Sequence, residues 1–302
     1  MSASSPKKHL PLPSLQDAAS VDLTVVIPAF NEVPRLPTMF VTTIRHLESL
    51  NSSSRKRTCE IVIVNDGSTD GTTQTALELA KKYKAFDIRV VTLEKNVGKG
   101  GAVRHGMLHG RGRRLLMVDA DGASRFEDLE LLWVEVDKLE EGNEAAIAIG
   151  SRAHLVNTDV VVKVSLSPSN ARSNKIVTTK YIFQRSFVRN LAMYALHTVL
   201  RLVGVGHIRD TQCGFKLFSR KAAQDIFPSQ RLSGWIFDVE LLLMAKLLNI
   251  PVAEVPISWN EVPESKIRLL RDSVMMFKDL LVMRVNYALG RWTVDGEKMK
   301  RE

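Results

Sequence analysis

The sequence has 302 residues, 45% of them hydrophobic and 25% charged, which is typical of a folded globular protein. Its formal net charge of +9 favours anionic partners: nucleotides, phosphates, nucleic acid or an acidic membrane surface. It has two cysteines, too few for a disulfide framework or a cysteine-rich zinc site, which fits a reducing compartment. No apolar run reaches the ~20 residues of a membrane span, so we expect a soluble or membrane-surface protein.

The first half of the chain alternates short apolar runs with amphipathic segments. The apolar runs predict strands at residues 23–27, 60–65, 88–92, 115–118 and 145–149. The segments between them predict helices at 35–50, 72–83, 99–110 and 126–139. Repeated strand–helix units predict an α/β fold, in which a mostly parallel, Rossmann-like sheet is flanked by helices on both faces.

The second half is less regular. Residues 153–182 have little periodicity and predict a mobile loop or insertion. Beyond it we expect strands at 215–218 and 252–259 and helices at 187–203, 237–248 and 267–289. The helices at 187–203 and 267–289 combine apolar and basic side chains, which is typical either of a core helix or of one on a membrane surface. We expect a flexible segment at 1–20 and one domain over 21–302.

Asp119 and Asp121 follow the predicted strand at 115–118 and are separated by the small Ala120. Side chains alternate along an extended segment, so both carboxylates should point the same way at the carboxyl edge of the sheet, where α/β proteins bind ligands. Paired carboxylates suit a hard cation such as Mg²⁺ or Mn²⁺. The alternative is a polar turn, since Asp and Gly are ordinary turn residues.

Other strand ends bring further candidates to that edge. Asp66 follows the second predicted strand and could accept a hydrogen bond from a nucleotide base. The junction at 95–101 carries Lys99 among glycines at a helix start, which fits either a phosphate cradle or close packing of the helix on the sheet. Later in the chain, Asp210 and Gln212 lie in a non-periodic loop, whereas Asp238 and Glu240 begin a helix and could simply complement its dipole.

Four motifs together resemble a known family. They are Val-Val-Ile-Pro-Ala-Phe-Asn-Glu at 25–32, Val-Asn-Asp-Gly-Ser-Thr-Asp at 64–70, Asn-Val-Gly-Lys-Gly at 96–100 and Asp-Ala-Asp-Gly at 119–122. In this order and spacing they resemble the inverting glycosyltransferases of family 2, which have the GT-A fold. The resemblance covers residues 22–292, nearly the whole chain.

Blocks at 150–152, 208–218 and 237–242 resemble one branch of that family. Its members transfer glucose from UDP-glucose to dolichyl phosphate, forming dolichyl β-D-glucosyl phosphate for N-glycosylation. The resemblance implies the cytosolic face of the endoplasmic reticulum membrane. Members normally begin with a transmembrane helix and no such run is visible here, which leaves the mode of membrane attachment open.

The resemblance also implies roles for individual residues. The nucleotide sugar would bind at Pro28, Ala29, Glu32, Asp66, Lys95, Lys99, Asp119, Ala120 and Asp121. A Mg²⁺ or Mn²⁺ ion would bind Asp121, with Asp119 near it or near the ribose. Asp121, Asp210 and Gln212 would form the catalytic set, the last two lining the sugar pocket. The acceptor phosphate would meet basic residues, for which the candidates are Arg152, Arg185, Arg189, Lys216 and Lys266.

Three other functions remain open from the residues alone. The nearest is a dolichyl-phosphate mannosyltransferase using GDP-mannose, because Asp66 cannot by itself separate uracil from guanine. A nucleotidyltransferase would need a glycine- and arginine-rich loop after the first strand, where this chain has Pro-Ala-Phe-Asn at 28–31. A non-catalytic sugar-nucleotide or membrane-binding protein is disfavoured by the intact acidic and basic candidates. Nucleic acid is a poorer partner, since no recognition motif is present.

Overall fold

The computed structural model of the protein describes residues 12–51, 56–156, 206, 208–260, 262 and 269–294. In these residues, seven strands form one sheet in the order β3-β2-β1-β4-β6-β5-β7. The strands are β1 Val21–Ala29, β2 Cys59–Asn65, β3 Asp87–Thr92, β4 Gly112–Val118, β5 Ile147–Ser151, β6 Phe215–Ser219 and β7 Val252–Pro256. The helices are α1 Leu36–Asn51, α2 Thr72–Lys82, α3 Lys99–Leu108, α4 Leu129–Glu140, α5 Arg220–Ile226, α6 Phe237–Leu247 and α7 Leu269–Ala288.

The predicted mostly parallel sheet is confirmed. β1 pairs in parallel with β2 and β4, β2 with β3, and β5 with β7. The exception is β6, which runs antiparallel between β4 and β5. The carboxyl ends of the six parallel strands therefore lie at the same edge of the sheet, as required for a shared ligand site.

Two apolar layers cover the two faces of the sheet, and β4 shows how the sequence builds both. Leu115 and Met117 pack with Val26 of β1 on one face. Leu116 and Val118 pack with other strand residues on the opposite face. Because successive strand side chains point to opposite faces, a continuous apolar run supplies both layers at once.

Residues 12–20 are held against the body of the protein, so the predicted flexible segment is wrong for this part. Leu15 is buried, and its backbone N–H donates to the carbonyl of Leu108 at the end of α3. The guanidinium of Arg220 in α5 donates to the carbonyls of Ser14 and Asp17. The helix α5 itself is short and was not predicted. Residues 1–11, the helix expected at 187–203 and nearly all of the loop expected at 153–182 lie outside the described residues.

The predicted C-terminal helix exists as α7, and one of its faces packs on the domain while the other is exposed. Leu280 and Met283 are buried against the rest of the protein. The exposed large apolar residues of α7 are Val274, Met275, Phe277, Leu281, Val282 and Val285. Across the described residues, no helix is both long and apolar enough to cross a membrane.

Candidate active site

Asp119 lies directly after β4 and is positioned by two neighbours. Its backbone N–H donates to the carbonyl of Gly214, just before the antiparallel strand β6. Its carboxylate forms an ion pair with Lys99, whose Nζ lies 2.6 Å from Oδ1 and 2.8 Å from Oδ2. Burial alone would lower the pKa of Lys99, but the carboxylates of Asp119 and Asp238 outweigh it and raise the pKa. Lys99 is therefore a cation at neutral pH.

Asp121 shares this site with Asp119. Its Oδ1 accepts a hydrogen bond from the backbone N–H of Ala123 at 3.0 Å. Burial raises the pKa of the Asp121 carboxyl, and the negative charge of Asp119 raises it further. An unfavourable interaction between two carboxylates is what a bound cation relieves. Such a pair therefore fits a hard divalent ion.

The described residues around Asp121 supply few side-chain ligands for a metal ion. Within the described ranges there is no group of three or more His, Cys, Asp or Glu side chains that could hold an ion. Two carboxylates leave most positions of an octahedral ion for water or substrate oxygens. This donor set fits Mg²⁺ or Mn²⁺ carried with a diphosphate better than a metal held by protein ligands alone.

Asp66 follows β2 and organises the loop between β3 and α3. Its two carboxylate oxygens accept hydrogen bonds from the backbone N–H groups of Val97, at 2.7 Å, and Gly98, at 3.0 Å. Burial raises the pKa of Asp66, and these two N–H groups oppose the rise only in part. A carboxylate has further lone pairs, so this arrangement leaves acceptor capacity for a base.

The glycines at the start of α3 are explained by close packing, which was one of the two predicted alternatives. Gly98 has a φ of 92°, and a Cβ there would lie 2.4 Å from the carbonyl oxygen of Ser233. A Cβ on Gly100 would lie 2.6 Å from the Cβ of Phe237 in α6. The segment before α6 therefore lies directly on the amino end of α3, and larger residues at either glycine would separate them.

Arg152 and Asp210 form a bidentate ion pair at the end of β5. The Arg152 Nε and one terminal nitrogen lie 2.7 and 2.8 Å from the two Asp210 oxygens. Burial alone would raise the pKa of Asp210, but the Arg152 guanidinium outweighs it and lowers the pKa. The guanidinium also lies 5.6 Å from the ring of Trp259. Asp210 is thus a permanently ionised group at neutral pH that fixes the position of Arg152.

Glu254 of β7 supports this pair and was not identified from the sequence. It accepts hydrogen bonds from the Ser151 hydroxyl at 2.6 Å and from the backbone N–H groups of Arg209 and Asp210. The sequence feature that could have indicated it is a single carboxylate inside the strand predicted at 252–259. Its partners lie 44 and 103 positions away, and sequence spacing alone does not connect them.

Lys216 lies inside the protein, which corrects its expected place at an acceptor surface. Its side chain is 0% exposed, and its Nζ donates to Asp238 and to the Cys213 carbonyl, both at 2.6 Å. Nearby, the Gln212 amide donates to the Trp235 carbonyl over 3.4 Å. Lys216 and Asp238 therefore neutralise each other beneath the site, while Gln212 remains only partly buried.

The remaining candidate nucleotide and acceptor residues lie at the end of β1, just after β4, around α1 and the loop before α3, or outside the described residues. Pro28 and Ala29 end β1, and Ala120 is buried between the two aspartates. Glu32 is 7% exposed and forms a two-point ion pair with Arg35, while Lys95 is exposed at the loop before α3. Arg185, Arg189 and Lys266 lie outside the described residues. Their predicted roles toward a nucleotide or an acceptor stay predictions.

Comparison with family models matches residues 24–227 to "Glycosyl transferase family 2". The chain belongs to this family. The match begins in β1 and ends just after α5, so it contains Asp66, Asp119 and Asp210. The predicted resemblance is confirmed at the level of the family.

Among family 2 relatives, dolichyl-phosphate β-glucosyltransferases match this chain over most of its length. The protein of Saccharomyces cerevisiae is 44% identical, over 92% of this chain and 80% of its own. Those of Drosophila melanogaster and Homo sapiens are each 40% identical, over 98% and 94% of this chain and 84% and 81% of their own. The predicted branch of the family is therefore confirmed as well.

Solved structures of similar fold support the architecture. Glucosyl-3-phosphoglycerate synthase of Mycobacterium tuberculosis superimposes with a TM-score of 0.54 at 17% identity, covering 87% of this chain and 81% of that one. A structure of that synthase with Mn²⁺, UDP-glucose and phosphoglyceric acid gives a TM-score of 0.53 at 18% identity, covering 88% and 80%. These likenesses agree with the predicted GT-A architecture.

Proposed function

We propose that this protein is a dolichyl-phosphate β-glucosyltransferase, which transfers glucose from UDP-glucose to dolichyl phosphate with inversion at the anomeric carbon. The observation that carries the proposal is the coincidence of two facts. Relatives of this activity match at 40–44% identity over more than nine tenths of the chain. The family 2 motifs also converge at the carboxyl edge of the sheet, where Asp66, Asp119 and Asp121 follow β2 and β4.

The donor would lie along that edge. Asp66 would accept a hydrogen bond from the base, and the backbone beside Pro28 and Ala29 would border the nucleotide. Lys99 begins α3, and its ammonium would attract a diphosphate. The solved synthase described above was crystallised with UDP-glucose and Mn²⁺, which supports the same donor class here.

Asp119 and Asp121 would hold Mg²⁺ or Mn²⁺, which would offset the negative charge that grows on the departing diphosphate. The protein's own groups would do the rest. Lys99 would contact the diphosphate, and Asp210 would keep Arg152 oriented toward the acceptor. Arg152 suits this task because a guanidinium has five N–H donors and its pair with Asp210 engages two of its nitrogens.

No strong general base is needed in this reaction. A phosphomonoester has a second pKa near ~6, so the acceptor is already an anionic nucleophile at neutral pH. The ionised Asp210 is paired with Arg152, which suits a positioning role and disfavours proton transfer. The enzyme would contribute alignment of two anions and compensation of their charge.

The acceptor is a lipid, so the site must work beside a membrane surface. The exposed apolar face of α7 carries Phe277 and Leu281 and is accompanied by exposed Arg271, Lys278 and Arg284. Apolar side chains flanked by basic ones suit the boundary between acyl chains and anionic headgroups. We propose that α7 lies on the membrane, and the cytosolic face of the endoplasmic reticulum remains the predicted location.

The direct test is sugar transfer to a short polyprenyl phosphate in detergent, with UDP-glucose and GDP-mannose assayed in parallel, each with and without EDTA. We expect lipid-linked glucose that disappears with the chelator and returns when Mg²⁺ or Mn²⁺ is added in excess. Mannose transfer instead would overturn the donor assignment. Glucose transfer that is indifferent to EDTA would contradict the metal role. No transfer from either donor by folded protein would contradict the proposed acceptor.

A further inference from the structure

The ammonium of Lys99 forms an ion pair with Asp119, one of the two carboxylates that would bind the proposed cation. Lys99 Nζ lies 2.6 and 2.8 Å from the two oxygens of Asp119, so it contacts both. We propose that Lys99 is an exchangeable counter-ion, which neutralises Asp119 before a divalent cation binds and moves to the donor diphosphate when cation and donor bind together. This inference rests on the proposed function, because it assumes a UDP-sugar donor and a divalent ion.

The charges of the site explain why a counter-ion is needed. Asp119 and Asp121 are both partly buried, and two like charges in such a place oppose each other. Without a cation they would raise the free energy of the folded protein. The ammonium of Lys99 supplies one positive charge at hydrogen-bonding distance from Asp119. Lys99 and a divalent ion therefore compete for Asp119, because two positive charges at the same carboxylate repel each other.

The surroundings explain where the displaced ammonium would go. The next carboxylate inward, Asp238, is already paired at 2.6 Å with the buried Lys216. Lys99 is the first residue of α3, and its side chain is 17% exposed, so a ligand at the carboxyl edge of the sheet can reach its ammonium. A diphosphate bound there would give it a new anionic partner.

This exchange makes a thermodynamic prediction. A cation that binds alone must displace Lys99 from Asp119 without offering it another anion. A cation that binds with UDP brings the diphosphate to which Lys99 can move. Lys99 therefore weakens cation binding to the free protein and strengthens it in the presence of UDP. By linkage, the cation and UDP each increase the affinity for the other, and part of that coupling depends on Lys99.

Calorimetric titration of Mn²⁺ into the 302-residue wild-type protein and into its Lys99→Met variant, each with and without UDP, tests the exchange. We expect Mn²⁺ to bind Lys99→Met at least about tenfold more tightly than wild type when UDP is absent, because a nearby positive charge is removed. The factor by which UDP improves Mn²⁺ affinity should fall by about tenfold. The matched control is Lys138→Met, which breaks an exposed 2.7 Å ion pair with Glu135 on α4 and should change neither value.

The outcomes separate this inference from the proposed function. If wild type binds no Mn²⁺ with or without UDP, the proposed metal site is wrong. If wild type binds Mn²⁺ but Lys99→Met binds it equally or more weakly without UDP, the exchange is wrong and Lys99 instead holds Asp119 in place for the ion. A Lys99→Arg variant, which keeps the charge, should resemble wild type in the absence of UDP.

A measurement on wild type keeps the test independent of how the variants fold. Acetylation of Lys99 can be followed by mass spectrometry and compared with acetylation of Lys138 in the same sample. We expect Mn²⁺ alone to increase labelling of Lys99, because the amine leaves its carboxylate. Mn²⁺ with UDP should decrease it again. Labelling of Lys99 that does not respond to Mn²⁺, at a concentration that calorimetry shows to be saturating, would overturn the proposal.

Discussion

Gly214 leaves the space that the carboxylate of Asp119 fills. A Cβ built on Gly214 would lie 1.9 Å from Oδ2 of Asp119 and 2.1 Å from its Cγ. The carbonyl of Gly214 also accepts the backbone N–H of Asp119. A glycine before β6 is therefore what allows Asp119 to stand at the edge of the sheet.

Gly214→Ala should consequently displace Asp119 from its place beside Lys99. We expect glucosyl transfer to fall by at least about tenfold and unfolding to be easier by about 1–3 kcal/mol, the usual cost of overpacking. Initial rates and thermal unfolding measure the two effects. The control is Gly142→Ala, since no atom lies within 4 Å of a Cβ at that position. Equal losses in both variants would contradict this explanation.

Asp121→Ala should abolish most turnover while the protein stays folded. Among the described residues, the side chain accepts one hydrogen bond, from the N–H of Ala123, and its charge is opposed by that of Asp119. Removing it should therefore change the free energy of unfolding by no more than about 1 kcal/mol, while the proposed ion loses a ligand. Transfer assays and thermal unfolding check both points.

The control for Asp121→Ala is Asp225→Ala, which removes a carboxylate paired with Lys221 in α5. We expect this control to retain wild-type turnover. Near-normal transfer by folded Asp121→Ala would show that Asp121 has no essential role in binding the metal.

Much of the fold could be predicted because its strands are continuous apolar runs. β1 and β4 each supply apolar side chains to both faces of the sheet. The residues that directly follow them lie at its carboxyl edge, because both strands run in the same direction. The pairing of β6 could not be predicted in this way. A lysine inside the short run Phe-Lys-Leu-Phe at 215–218 favours a strand with that side chain in solvent, whereas β6 lies between β4 and β5. Lys216 is therefore enclosed and needs Asp238, 22 positions away.

Arg152→Lys should weaken use of the acceptor without affecting the donor. Lysine keeps the charge but cannot reproduce the two-point pair with Asp210. We expect kcat/KM for polyprenyl phosphate to fall by about tenfold, with UDP binding unchanged. Steady-state kinetics with varied acceptor, together with calorimetry of UDP, separate these quantities.

Arg57→Lys provides a matched comparison for Arg152→Lys. Arg57 also forms a two-point pair, with Glu130 at 2.6 and 2.9 Å, and also lies near a tryptophan ring, that of Trp133 at 3.7 Å. It precedes β2, at the amino end of the sheet, so its replacement should cost stability and leave the acceptor kinetics unaltered. A similar kinetic loss in both variants would remove the argument for Arg152 as an acceptor ligand.

Glu130 should make the fold sensitive to acid. Burial alone would raise its pKa, but hydrogen bonds from His46 and Arg57 lower the pKa to about 2 from an ordinary value of 4.5. The folded state therefore binds this proton less readily than the unfolded state. The resulting stability is complete above about pH 4.5 and is lost as the pH falls through about 2.

Glu130→Gln should accordingly unfold more easily by about 2 kcal/mol at pH 7. The difference from wild type should shrink steadily below pH 4.5. Urea unfolding at a series of pH values measures it. Glu135→Gln, in an exposed pair with Lys138, should differ from wild type by less than about 0.5 kcal/mol at every pH. A constant difference for Glu130→Gln down to pH 2 would contradict the assigned pKa.

The exposed face of α7 should bind vesicles that contain anionic lipid. Phe277 is 56% exposed and Leu281 57%, and the two lie one turn apart on that face. Replacing both with serine removes apolar area without changing charge, so flotation with such vesicles should fall at least about fivefold. The control is the pair Leu131→Ser and Val134→Ser on α4, which are 48% and 49% exposed and three positions apart.

Burying apolar side chains in the bilayer gives vesicle binding that survives moderate salt, whereas attraction through Arg271, Lys278 and Arg284 alone is screened. Failure of wild type to float, or equal loss in the α4 pair, would show that α7 is not the membrane surface.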